Sequence, residues 1–216
     1  MGIFQTRGNV EVGGRVTGNR DLITSSNLMR WLAEGKVFSA GMGCEATAID
    51  SEAALADTTP TFGIFAPSSQ SILVVPIFAT FSITTEGGAA PVCQGAVTKA
   101  AATCATALTK SGTSLSKQNC NSLFTDSGEV TALHTITCSA LTTADYLSMF
   151  TASAVDNSIS SAGANFANTV ISVDFLRHPV IIAAGAAVLF YGYTGTSDSK
   201  WFPYFQWAEL TAEDIY

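Results

Sequence analysis

The chain has 216 residues, 47% of them hydrophobic and only 12% charged, with a formal net charge of −7 and an isoelectric point near 4.6. This argues against intrinsic disorder, which needs low hydrophobicity and high charge, and against a dedicated nucleic-acid binder, which would carry a basic patch. An average soluble domain has roughly 25% charged residues, so this surface must rely on Ser, Thr, Ala and Gly or be buried against other chains, a first pointer to assembly.

Charge is unevenly spread. Residues 1–36 hold Arg7, Arg15, Arg20, Arg30 and Lys36 against Glu11, Asp21 and Glu34, a net of +2, and the remainder carries −9. Residues 1–20 are spotted with glycine, have no helical period and read as an extended arm. They contain no apolar core of a signal peptide. Met1–Thr6 fits the N-myristoylation pattern at Gly2, which matters only in a eukaryotic host. Ser25, Ser26 and Asn27 are N-cap candidates for a short helix through Leu28, Met29, Trp31 and Leu32, stopped at Gly35. Glu45–Asp57 is rich in Ala and acids without a clean period and stays open between helix and loop.

From Thr61 the period changes to two. Thr61–Ala66 is a short strand ended by Pro67, and Ile72–Ile83 a long one. Pro76 inside it marks an edge, a bulge or a strand start, because proline cannot donate to a ladder. Residues 86–126 are weakly patterned and read as a long excursion between strands. Thr131–Ser139 alternates, with Leu133, Thr135 and Thr137 on one face and His134, Ile136 and Cys138 on the other. Residues 142–165 are Ser/Ala/Thr-rich, with one helical turn expected at Ala144–Phe150. Phe166–Leu176 alternates again, Pro179–Tyr193 reads as strand, Gly185 bend, strand, and Trp201–Leu210 closes the chain. The apolar run Val180–Tyr193 is shorter than the about 20 residues that span a bilayer as a helix. Many short strands with turn signals and no β-α alternation give an all-β sandwich or barrel.

No enzyme signal emerges. His134 and His178 are the only histidines; neither accompanies a G-x-S-x-G elbow, and both read as structural. Gly41-x-Gly43-x-x-Ala46 lacks the βαβ context of a dinucleotide loop. Asp50, Glu52 and Asp57 lack calcium-loop spacing, and the acidic end, Glu209, Glu213 and Asp214, reads as carboxylates without a pocket. No catalytic residue, metal ligand set, cofactor or small-molecule substrate is therefore expected. Five cysteines, Cys44, Cys93, Cys104, Cys120 and Cys138, show no zinc spacing. The last four can form disulfides in an oxidising medium, or all can be small buried residues.

Eight aromatics fall between Phe190 and Trp207. On a strand, one face of Trp201, Phe202, Tyr204, Phe205 and Trp207 would fill the core and the other meet a neighbour. The competing reading is a platform that stacks sugars or bases.

Two stretches carry a resemblance. Asp57–Ile83 (DTTPTFGIFAPSSQSILVVPIFATFSI) joins a Thr-Pro entrance, a short apolar strand ending in Pro, and a V-V-P run opening a long strand. Phe166–Leu210 contains PVIIAAGAAVLF and the closing KWFPYFQWAEL. Both resemble virion structural proteins of phages and related environmental viruses. The resemblance implies a single jelly-roll β-sandwich over 36–216, with 86–126 as an inserted loop and 1–35 as arm and short helix. It further implies a non-enzymatic capsid or capsid-associated protein of the virion, forming trimers or pentamers within a shell and touching other virion proteins. Arg7, Arg15 and Arg20 would then bind a neighbour's acids or, weakly, the genome; an internal membrane beneath the shell is a further contact. The alternative is a carbohydrate-binding jelly-roll module for host or surface attachment, stacking sugars on Trp201, Tyr204 or Trp207.

Overall fold

The computed structural model describes residues 3–7, 10–16, 22–23, 27–42, 48–69, 71–85, 91–153, 169–177, 179–194 and 199–215. In chain order the elements are β1 (Ile3–Arg7), β2 (Val10–Val16), β3 (Leu22–Ile23), α1 (Asn27–Ala33), β4 (Val37–Gly41), β5 (Ile49–Asp50), β6 (Phe62–Phe65), β7 (Leu73–Thr85) and β8 (Val92–Thr98). There follow β9 (Lys110–Ser114), β10 (Lys117–Asn119), β11 (Thr131–Cys138), β12 (Tyr146–Ser153), β13 (Thr169–Asp174), β14 (Ala187–Tyr193), β15 (Lys200–Leu210) and α2 (Ala212–Ile215).

One sheet runs β10-β4-β15-β7-β13, with β5 also paired to β15, and a second runs β12-β8-β14-β6-β11-β9. All of these ladders are antiparallel. The sheets face each other across one core, to which the first contributes Phe38, Phe81, Trp201, Phe205 and Trp207 and the second Phe62, Ile64, Val97, Val188 and Phe190. The chain is therefore an all-β sandwich. The pairing is nested: β4 with β15, β6 with β14, β7 with β13, and β8 with β12, alternately in one sheet and the other. Alternation along β15 shows why these residues make a strand. Trp201, Phe205 and Trp207 point inward and are buried, whereas Ala208 and Leu210 lie on the opposite face.

That opposite face is not bare. Leu28, Trp31 and Leu32 of α1 pack on Val37, Val75, Ile77, Ala208 and Leu210. Gly35, at φ +70°, turns the chain out of α1, as a left-handed glycine at a helix end does. Asn119 and Asn121 donate side-chain N–H groups to the carbonyls of Gly35 and Leu32 at 2.7 and 3.0 Å. On the second sheet, Phe65, Leu133, Ile136, Cys138, Leu189 and Tyr191 form another outer cluster under Leu108 and Tyr146.

Pro76 lies in a central strand, at a bulge. Gln206 pairs with Phe78 and Trp207 with Pro76, so Ile77 is the extra residue. Pairing of β13 to β7 stops at Phe78, so on that side the proline interrupts no ladder.

Several expectations need correction. Residues 3–7 and 10–16 are not an open arm but an antiparallel pair, with β3 as third strand. Val92–Thr98, placed in the excursion, is an inner strand of the second sheet. Its core-facing residues are small because the ring of Phe150 lies over Gly95, so no alternating large residues advertise it. Ala144–Phe150 is not helical beyond a 3-10 turn at Thr143–Asp145; it leads into β12, where a register shift at Tyr146/Ser148 breaks the period. In β11 the two faces do not alternate throughout. Thr135 takes φ +49°, a left-handed conformation, and an irregularity between His134 and Thr137 places Leu133 and Ile136 in the same cluster. Of the open segment 45–57, the described part holds the short strand β5 and no helix.

Cys93, Cys104, Cys120 and Cys138 are all free thiols, contrary to the disulfide option. Cys93 faces the inter-sheet core, Cys138 the outer cluster of the second sheet, and Cys120 the helix-covered face of the first; layers of packed side chains separate them. Burial pushes the Cys93 thiol well up, and burial with nearby Asp57 raises Cys138 to about 11. Cys44 lies outside the described residues.

Two outcomes follow. Alkylation in denaturant without reductant, then peptide mass mapping, should label Cys93, Cys104, Cys120 and Cys138; a bridged pair would escape. Gly95→Ala should lower the urea-unfolding free energy by about 1–3 kcal/mol, as overpacking does, because its methyl group would meet the Phe150 ring.

Candidate assembly surface

The two open sides of the sandwich are treated differently by the sequence. On the β4/β6 side, the chain between β8 and β12 crosses the gap. It adds β9 to the second sheet, passes to β10 on the first, and returns as β11. Leu115, Val130 and Ala132 of this crossing enter the inter-sheet core. Two carboxylates fasten it. Glu209, buried at the end of β15, accepts N–H bonds from Glu129 at 2.6 Å and Val130 at 3.1 Å, and from the Trp207 indole at 3.0 Å. Asp145 is sealed from solvent and collects the N–H groups of Ala105, Thr106 and Thr142 and the Thr142 hydroxyl. Bonds from the Thr142 N–H and hydroxyl, joined by those of Thr106 and Ala105, hold its carboxyl down at about 2 although burial opposes them.

The β12/β13 side has no such cover among the described residues. Here β12 is the edge of one sheet and β13 the edge of the other. Of the ten large hydrophobic residues that are exposed among the described residues, five lie here: Leu147 (55%) and Met149 (63%) on β12, Val170 on β13, and Leu176 and Ile181 just beyond it. Their concentration on one rim distinguishes them from the scattered apolar residues any surface carries. Two grooves flank β12. One, of about 970 Å³, lies over the outer face of the second sheet among Leu55, Gln94, Leu141, Tyr146, Met149 and Tyr191. The other, of about 950 Å³, lies between β12 and β13 among Ser148, Met149, Val173, Phe175, Arg177 and Val180. Met149 lines both, so β12 stands as a ridge between them.

The residues singled out by sequence are distributed as follows. Arg7 ends β1 and Arg15 sits in β2; Arg20 and Gly2 fall outside the described residues. Trp201, Phe205 and Trp207 are core; Phe202 is half-buried and packs against that core, and Tyr204 is exposed. One face of β15 therefore fills the core, and the sugar-stacking role expected of Trp201 and Trp207 is closed to them by burial. His134 bonds the Thr135 hydroxyl at 3.0 Å, and His178 lies outside the described residues. Asp50 pairs with Lys200. Of the acidic end, Glu209 anchors the crossing. Asp214 pairs with Lys36 and accepts the Thr211 N–H and hydroxyl, and these contacts, Lys36 foremost, bring its carboxyl to about 2. Among the described residues no group of three or more His, Cys, Asp or Glu could hold a metal ion. Sequence reasoning missed the β12 ridge. Its available signal was an uncharged YLSMFTAS segment with two outward apolar residues.

Asp145 and Asp214 titrate below the roughly 3.9 of an unfolded aspartate, so each stabilises the fold fully above about pH 4 and loses that contribution as pH falls toward about 2. The urea midpoint should fall over this window. Asp145→Asn should start from a lower midpoint at neutral pH and show a shallower acid loss, measurable by intrinsic fluorescence. No protein-family model matches the chain, and neither the curated proteins nor the solved structures yield a match.

Proposed function

We propose that this chain is a virion structural protein, a capsid or capsid-associated subunit of single jelly-roll type that acts by self-assembly and catalyses no reaction. The observation that carries the reading is the nested strand order. Eight strands pair first with last, second with seventh, third with sixth and fourth with fifth. Successive pairs fall in opposite sheets, giving β4-β15-β7-β13 facing β6-β14-β8-β12. A long hairpin rolled up on itself produces that order, and the jelly roll is the double-sheet architecture of viral capsid and lectin domains. The strands β5, β9, β10 and β11 are additions at the margins of this eight-strand frame.

Two further features support the capsid branch over the lectin branch. Trp201 and Trp207, the strongest stacking candidates, are sealed in the core, and of the three residues named for that role Tyr204 alone is exposed. The exposed apolar residues instead concentrate on one rim of the sandwich, as a subunit that meets neighbours requires. The N-terminal strands, with Arg7 and Arg15, would clip onto the acidic body of a neighbouring copy, since residues 37–216 carry −9. A net of +2 in residues 1–36 is too small to neutralise much nucleic acid, so a genome contact is secondary, as is one with an internal membrane. In this reading the protein resides in the virion, as trimers or pentamers beside other virion proteins.

Light scattering of the purified protein, followed by negative-stain microscopy, tests the reading. Discrete trimers, pentamers or closed shells whose formation needs residues 1–20 are the expected result. A stable monomer at high concentration, indifferent to deletion of those residues, overturns it.

A further inference from the structure

We infer that β12 is a self-pairing edge: the Tyr146–Ser153 strand of one copy lies antiparallel against the same strand of a second copy, across a two-fold axis perpendicular to the sheet. The inference rests on the assembly reading and names the surface that makes the contact.

A sheet edge presents a row of unpaired N–H and C=O groups, and proteins that must not pair there blunt the edge with charge, especially lysine, or with proline. The other edges follow this practice. Strand β9 opens on Lys110, β10 opens on Lys117, and β13 ends on Asp174 with Arg177 three residues on, the two forming an ion pair at 3.3 Å. Even the two-residue β5 ends on Asp50, paired with Lys200. Strand β12 is different. Its eight residues, YLSMFTAS, contain no charged residue, no proline and no glycine, and at 3.3 Å per residue it offers about 26 Å of edge. It pairs with β8 on one side, and no described strand occupies the other.

Charge selects the occupant. Each copy carries −7, so the general repulsion between copies is least where acids are absent, and the uncharged β12 is such a place. Within a second copy the other edges bring lysine or aspartate, and β1 and β2 bring Arg7, Glu11 and Arg15. Strand β12 of the second copy matches without burying a charge. A contact of this kind is isologous, the same patch on both partners, which is the symmetry of the commonest homo-oligomers. The axis keeps both copies' Leu147 and Met149 on one face of the joined sheet, where cross-strand apolar pairs add to the main-chain bonds. The two six-stranded sheets become one of twelve.

The test is sedimentation velocity over a concentration series, with hydrogen exchange of the β12 amides in the same samples. The variants are Leu147→Lys/Met149→Lys and, separately, Thr151→Lys; all three side chains are exposed, and thermal unfolding checks that each variant folds. Val170→Lys, on β13, is the control. The expected result is that the wild type associates with β12 amides protected, Val170→Lys does the same, and the β12 variants weaken association by about tenfold or more with exchange at the monomer rate. If the β12 variants associate as the wild type does, with β12 amides unprotected throughout, the edge inference fails and the assembly reading stands. A wild type that stays monomeric at every concentration removes the assembly reading itself, and self-pairing with it.

Discussion

The structure depends on the aromatic contact between its two sheets. Phe190 of β14 sits 4.9 Å from Phe81 and 5.6 Å from Phe205, both on the opposite sheet, and 6.3 Å from Phe62 and 6.0 Å from Phe150 on its own. Phe205 in turn reaches Phe175 and Trp207. Burying a side chain of this size contributes about 1.5–3 kcal/mol, and the tilted and edge-on ring geometries add to it. The nested strands are held together here, because each of the four paired units contributes to the cluster or packs against it. The cluster also dictates what its neighbours can be. With Phe150 laid across the sheet toward Phe190, β8 beneath it must be glycine at position 95.

The same packing reassigns the meaning of the composition. Low charge and high hydrophobicity look at first like the signature of extensive burial between subunits. Much of that apolar material is buried within the chain. Helix α1 covers the outer face of one sheet, and the Leu108 segment with Tyr146 covers that of the other, so the strands are apolar on both faces, unlike a sandwich with one solvated side. Among the described residues, half of the large apolar side chains that remain exposed lie on the β12/β13 rim. The composition alone therefore carries less weight for assembly than the location of Leu147, Met149, Val170, Leu176 and Ile181 on one rim.

Legibility in the sequence followed from side-chain size and regular alternation. Strands β6, β7, β13 and β15 could be read because β-branched and aromatic residues repeat at period two, β14 because it is an apolar run after the Gly185 bend, and α1 because Ser25, Ser26 and Asn27 precede it and Gly35 ends it. Pro76 alone signalled an edge, a bulge or a strand start, and the structure makes it a bulge. Strand β8 could not be read because Gly95 and Ala96 report a neighbour's bulk instead of their own, and β12 because its register shift breaks the alternation at its start. The twist at Thr135 is tertiary: the Thr135 and Ile136 N–H groups bond to the carbonyls of Thr61 and Pro60, each at 3.0 Å, partners that no local pattern announces. The same is true of Glu209 and Asp145. Glu209 reads as one carboxylate of an acidic end, yet the N–H groups of Glu129 and Val130 define it, and Asp145 gathers those of distant Ala105 and Thr106 beside nearby Thr142.

These two carboxylates explain why the sandwich is open on one side and closed on the other. A crossing that leaves its ladders exposes N–H groups that must find acceptors or pay for burial. Glu209 and Asp145 supply those acceptors at the β10–β11 turn and before β12, which lets the long insertion lie flat across the β4/β6 gap with Leu115 and Val130 in the core. Nothing comparable is built among the described residues at the β12/β13 rim. There the fold leaves two sheet edges, two grooves and five exposed apolar side chains together. The chain thus seals one side with buried carboxylates and leaves at the other an uncharged strand, β12, between two grooves.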